Sequence, residues 1–268
     1  MITEKLIFKI PYEIAPPVIP DDYDVIFGAN YYDHWRAWDA GSLTLTGALV
    51  DQADSLTGSG RNLVSSGGAR PTLVNVAKIS RNAFDFDGIS EYMELLTSTG
   101  DYNFLHDTNG GCVIIVYSNL VTPVSQGQLV SNGFGDIGFR ILQSSTGSVN
   151  TVIRNAGANI AINITTEITT NTEYNSFVNV HDPNNATLLD RVESVTNGVS
   201  GKFNTSSGTP TPADAANNLI VGKRANASSF YFNGTISEIL IADTIPTPTQ
   251  LAQVQARLTY DYGTFPIT

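Results

Sequence analysis

The 268-residue sequence predicts an all-β sandwich of the jelly-roll kind, with one short C-terminal helix and an extended N-terminal arm. Three observations predict it. Only 15% of the residues are charged, and Thr, Ser, Asn and Gly fill the polar positions instead, as in 144–148, 165–172 and 204–209. Ser and Asn side chains compete with helical backbone hydrogen bonds, whereas Thr suits strands and Gly suits turns. Short β-prone runs recur with turn signals roughly every ten residues, the rhythm of a sandwich. One segment only, near the end, carries a clear helical period.

Composition also excludes several functions. The 14 Lys+Arg against 25 Asp+Glu give a formal net charge of −11, which disfavours a nucleic-acid backbone as partner. No apolar run approaches the ~20 residues of a membrane span. The opening Met1-Ile2-Thr3-Glu4-Lys5 carries an acid and is soon followed by Pro11, unlike a secretory signal, so synthesis in a cytoplasm is expected. The single Cys112 rules out an internal disulfide framework and a Cys-based zinc site. Five Asn-x-Ser/Thr sites (Asn163, Asn185, Asn204, Asn226 and Asn233) then reflect composition.

In chain order, residues 1–23 read as an anchoring arm. Leu6, Phe8, Ile10, Tyr12 and Ile14 are its docking residues, and Pro11, Pro16, Pro17 and Pro20 block helix and central strand. Such an arm docks on a partner or on another copy of the chain, for example by adding a strand to an exposed edge. Residues 24–268 form the sandwich. Tyr31, Tyr32, Trp35 and Trp38 cluster beside His34 and Arg36. They either stack on sugar rings or close the junction between arm and sandwich, and the second reading is preferred. Phe84-Asp85-Phe86-Asp87-Gly88 alternates with period two and turns at Asp87-Gly88, a hairpin signal, with 91–95 as the return strand. The apolar run 111–117 suits a strand covered on both faces. Further strands are expected at 128–130, 136–142, 151–154, 160–164, 174–180, 188–192, 219–221, 230–232 and 236–241. The closing helix has Thr247 as N-cap, Pro248 in its first turn and Gln250 completing a capping box. Leu251, Val254 and Leu258 form its apolar stripe, and Gly263 stops it.

Several of these segments resemble one family in order and spacing. Trp38-Asp39-Ala40-Gly41-Ser42-Leu43, the loop ending Gly58-Ser59-Gly60-Arg61-Asn62-Leu63, Arg70-Pro71-Thr72-Leu73, 84–93, Leu219-Ile220-Val221-Gly222, 232–241 and the closing helix resemble concanavalin A-like (laminin-G-like) jelly-roll domains. The resemblance covers about residues 30–263. It implies a concanavalin A-like jelly-roll β-sandwich used for glycan binding or adhesion, for glycanase activity in some branches, and in bacteriophage capsid-accessory and tail or fibre proteins. Fold does not choose among these.

Site chemistry is sparse. A glycanase needs two carboxylates about 5–9 Å apart. Asp85 and Asp87 could share a face, but a turn and a solvated surface explain them, and Glu91 and Glu94 point to opposite faces of a strand. No catalytic residues are expected. His34, His106 and His181 lack paired spacing for a metal. Asp51 and Asp54 lie in a carbonyl-rich loop of the kind calcium takes, without a full ligand set, so no metal or other cofactor is assigned. Cys112 reads as a buried thiol. The expectation is a non-enzymatic bacteriophage virion protein, decorating a capsid or belonging to a head or tail fibre. Its partners would be other virion proteins, copies of itself and a cell-surface glycan. The alternative is a carbohydrate-binding adhesin or module of a bacterial surface, and a glycan hydrolase ranks last.

Overall fold

The computed structural model describes residues 22–119, 126–133, 135–145, 148–164, 174–202, 204 and 206–263. The expected docking residues Leu6, Phe8, Ile10, Tyr12 and Ile14 lie outside these. A short helix, α1 (Tyr23–Phe27), leads into β1 (Tyr31–Arg36). Then come β2 (Leu43–Thr46), β3 (Leu49–Ala53), β4 (Leu63–Val64), β5 (Thr72–Val76), β6 (Arg81–Asp87), β7 (Met93–Leu95) and β8 (Gly111–Asn119). The second half holds β9 (Gly127–Ser131), β10 (Gly138–Gln143), β11 (Val149–Asn155), β12 (Ala158–Ile164), β13 (Asn175–His181), β14 (Val192–Thr196), β15 (Val199–Lys202), β16 (Leu219–Val221) and β17 (Asn233–Ala242). The closing helix is α2 (Pro248–Tyr262).

The strands form two antiparallel layers. The first sheet runs β5–β6–β17–β8–β13–β14–β15, with β1 beside the later half of β17. The second runs β2–β3–β4–β7–β16–β9–β10–β11–β12. One pair, Leu49 with Thr72, links them. This is the expected all-β sandwich of jelly-roll type.

Alternation along β8 explains its continuous apolar run. Val113, Ile115 and Tyr117 enter the core between the sheets, with Trp35, Phe84, Phe139, Phe177 and Ile239. Cys112, Ile114 and Val116 face outward, where α1 and α2 cover them with Tyr23, Phe27, Val254 and Leu258. Both faces of β8 are therefore buried. The helix begins as its sequence predicts. Thr247 Oγ1 accepts from the Gln250 N–H at 3.3 Å, and Gln250 Oε1 accepts from the Thr247 N–H at 2.9 Å. Gly263 ends it at φ +80°.

Three expected elements differ. Residues 84–95 do not form a hairpin, because β6 belongs to the first sheet and β7 to the second. The Asp87-Gly88 turn is instead a crossover, in which Asp87 Oδ1 accepts from the backbone N–H groups of Ile89, Ser90 and Glu91. Residues 188–190 form a 3-10 turn before β14 begins at Val192. Residues 230–232 are not a strand, since Phe230 holds a left-handed backbone at φ +65°.

Candidate functional site

β1 places Asp33 and Trp35 toward the core and His34 and Arg36 toward the helix layer. Tyr31 lies on the helix side and Tyr32 on the core side, and a bulge between Tyr31 and Asp33 leaves Tyr32 on the same side as Asp33. The four expected aromatics therefore do not share a platform. Trp35 is fully buried and its Nε1 donates to the Arg61 carbonyl at 3.1 Å, so it offers no face to a sugar. Trp38 is half-buried between the guanidinium groups of Arg81 (3.9 Å) and Arg36 (4.7 Å), and its Nε1 donates to Tyr262 Oη at 2.9 Å. Tyr32 packs edge-to-face on Phe104 and stacks with Arg61.

Beneath the helices these groups surround one carboxylate. Glu238, fully buried on β17, accepts from His34 Nε2, from Arg36 Nε at 3.0 Å and from Tyr262 Oη at 2.7 Å. Burial opposes its charge, but these donors and the Arg36 charge bring Glu238 down to about 2. Arg36 also grips Asp22 at 2.8 Å, while Arg81 and Arg257 converge on Asp261. The network ties Asp22 and the end of α2 to the first sheet. It is a packed and neutralised interior.

The other sequence-derived candidates are dispersed. Asp51 pairs with Arg70 at 2.9 Å, and Asp54 accepts from Gln52 Nε2 at 2.6 Å, so protein donors already engage both. Asp85 and Glu94 stand on different sheets. Burial, with Asp87 and Asp85 nearby, pushes Glu91 up to about 7 although it accepts from the Asp87 N–H. His34, His106 and His181 are all buried, and burial brings His181 down to about 4. Among the described residues no group of three His, Cys, Asp or Glu side chains is placed to hold a metal. Cys112 is buried, and its thiol is pushed up to about 12.

The arrangement with chemistry to offer lies on the outer face of the second sheet. Phe139 and Ile141 of β10 enter the core, so Arg140 between them points outward. Arg154 of β11 points the same way, next to the core residue Ile153 and opposite Gly138, diagonal to Arg140. Ser131 of β9 is paired with Arg140 on the other side. Its hydroxyl accepts from the Ala225 N–H at 3.0 Å and donates to the Lys223 carbonyl at 3.1 Å. Those two bonds pin the loop that follows β16 against β9 and deliver Arg224 to the same neighbourhood. Arg224 lies 4.3 Å from the ring centroid of Phe230. Burial, with Arg154 and Arg224 nearby, brings Arg140 down to about 10, the direction expected where like charges gather.

The loop is held firmly. The Phe232 N–H donates to the Gly222 carbonyl at 2.8 Å and closes its base. Gly222 sits at φ +83°, where a Cβ would come within 2.5 Å of the Phe86 ring. Asn226 and Phe230 both hold left-handed backbones, at φ +59° and +65°. For a bulky ring that conformation is costly, and such strain gathers at functional segments. Sequence reading missed this site because its arginines come from positions 140, 154 and 224 and share no local motif. The strand register, which the sequence implies only weakly, is what brings them together.

No family model matches the chain, and no curated protein matches it. Solved structures do. The chain is similar to the CBM40 module of the Ruminococcus gnavus IT-sialidase bound to α2,3-sialyllactose. That match has a TM-score of 0.51 and 16% identity over 65% of this chain and 95% of that one. It is also similar to part of the Trypanosoma rangeli sialidase in complex with 2,3-difluoro-KDN, with a TM-score of 0.58 and 10% identity. That match covers 93% of this chain but 37% of the sialidase. The leech intramolecular trans-sialidase gives a TM-score of 0.50 and 16% identity, over 70% of this chain and 28% of that enzyme. At these identities the likeness is one of fold. The chain is a β-sandwich with a lectin-like architecture, similar over almost the full length of a carbohydrate-binding module and over a minor part of two sialidases.

Proposed function

We propose that the chain is a carbohydrate-binding module that grips an acidic glycan on the outer face of its second sheet, through Arg140, Arg154 and Arg224. The carrying observation is the cluster itself: three guanidinium groups gathered by β10, β11 and a pinned loop on a chain whose net charge is −11. Guanidinium forks suit carboxylate geometry. The CBM40 neighbours bound to α2,3- and α2,6-sialyllactose support an acidic sugar as the ligand class. The role is binding without hydrolysis. Calorimetric titration with α2,3-sialyllactose and with lactose tests it. Binding of the sialylated sugar alone, lost in Arg140→Ala with an unchanged melting temperature, is the expected result. Equal affinity for lactose overturns the reading, and release of free sialic acid overturns its non-catalytic part.

A bacteriophage setting rests on the sequence alone, on residues 1–23 above all. In that proposal the arm fixes the module to its particle. Deleting residues 1–20 then abolishes assembly or incorporation while glycan binding persists. Unchanged assembly of the truncated chain overturns it.

A further inference from the structure

We infer that the arginine cluster is one end of a longer cleft, with a second sugar subsite built by Tyr92, Lys223 and Tyr231. This rests on the acidic-glycan reading and names what the ligand carries beyond its acidic sugar.

Lys223 Nζ lies 4.2 Å from the ring centroid of Tyr92 and 5.6 Å from that of Tyr231. All three residues are half-buried. Among the described residues no carboxylate forms an ion pair with Lys223, so aromatic faces hold this cation. An ammonium has three donors and no acceptor, and ring faces engage it without consuming those donors. Phenol hydroxyls add polar tips to apolar rings. Donors beside half-exposed aromatic surface match a hydroxyl-rich sugar ring, which presents oxygen acceptors and C–H faces together.

The register places this group relative to the arginines. Met93 of β7 pairs with Val221 at the end of β16, so Tyr92 and Lys223 flank that end. Arg224, the next residue, continues toward β9, where Ser131 holds the loop beside Arg140. The order β7–β16–β9–β10 therefore separates Tyr92 from Arg140 by three strand spacings. At about 4.8 Å each that is about 14 Å, wider than one sugar ring. Lys223 and Arg224 are adjacent in sequence and serve the two subsites from one pinned loop. The closed base and the Ser131 bonds set both before a ligand arrives, so little ordering cost remains.

The test compares the methyl glycoside of sialic acid with α2,3-sialyllactose by calorimetry. The full chain binds the trisaccharide about tenfold tighter or more, and Tyr92→Ala with Tyr231→Ala brings it to the level of the monosaccharide, whose own affinity is unchanged. Lys223→Ala, which leaves both rings in place, gives a smaller loss confined to the trisaccharide. Equal affinity of the wild-type chain for both probes overturns the second subsite and leaves the acidic site standing. Equal loss of both probes in Lys223→Ala, at unchanged melting temperature, also overturns it. Absence of binding to either probe overturns the acidic-glycan reading, and this subsite with it.

Discussion

Arg36 and Arg140 stand on opposite outer faces of the same sandwich, and their neighbours differ in sign. Around Arg36 the first sheet and its helices supply Glu238 and Asp22, which hold its charge well above the ordinary arginine range despite burial. Around Arg140 burial disfavours the charge, and Arg154 of β11 and Arg224 of the loop after β16 add to that. The first cluster is neutralised within the chain and serves cohesion. A buried pair of that kind is costly to break because one charge is left without its counterpart. The second cluster gathers guanidinium groups at a surface, which suits the recognition role proposed for it. Charge sign within a neighbourhood, more than residue type, separates the structural arginines from those proposed to bind.

The comparison breaks most sharply at Glu238. Glu238→Ala removes the acceptor shared by His34, Arg36 and Tyr262 and should cost about 3–5 kcal/mol, read as a fall in the urea midpoint at constant slope. A loss under about 1 kcal/mol would mean that the paired cluster contributes little. Arg140→Gln is the opposite experiment. It removes one of the three gathered guanidinium groups, so affinity for sialyllactose should fall about tenfold. A clear drop in melting temperature would place Arg140 with the structural arginines.

Acid sharpens the contrast next. Glu238 titrates at about 2 in the fold, so its stabilisation is complete above the unfolded value near 4.3 and is lost as pH falls toward 2. His181 is also depressed, to about 4, so its neutral buried form is favoured above about 6.5 and destabilises increasingly as pH falls toward 4. Glu91, raised to about 7, works the other way and stabilises the fold as pH falls from about 7 to 4.5. Urea midpoints of His181→Gln should therefore fall less steeply than those of the parent chain between about pH 6.5 and 4. Glycan affinity should stay level between about pH 5 and 8, because the arginines remain charged there. The smallest effect expected is that of salt. Raising ionic strength should weaken sialyllactose binding at the half-exposed arginines and leave unfolding nearly unchanged, since buried pairs are screened less.

Much of the architecture was legible in the residues. The Thr247–Gln250 capping box marked the start of α2, and the run 111–117 announced a strand covered on both faces. Those signals are local, with partners within a few positions. Long-range pairing was not legible. Phe84 to Leu95 has the alternation of a hairpin, yet the two halves join different sheets, because Asp87 satisfies three successive backbone donors and turns the chain away. Trp35 and Trp38 read as neighbours in sequence, yet Trp35 enters the core from β1 while Trp38, beyond the strand's end, packs between Arg36 and Arg81 beside Tyr262. The arginine site needed two registers at once, β9 with β10 and β10 with β11, and a serine hydroxyl to hold the loop.

The closed base between Gly222 and Phe232 has a consequence for how such a module changes over time. One backbone hydrogen bond and the contact with Phe86 fix where the loop leaves and rejoins the sandwich, and the buried Ala225 and the Ser131 bonds seat its middle, so the half-buried side chains beside it bear least on the core. The side chains of Lys223, Arg224 and Tyr231 are in that sense exchangeable. Under the proposed function, swapping Lys223, Arg224 or Tyr231 alters what the surface selects without renegotiating the packing beneath it.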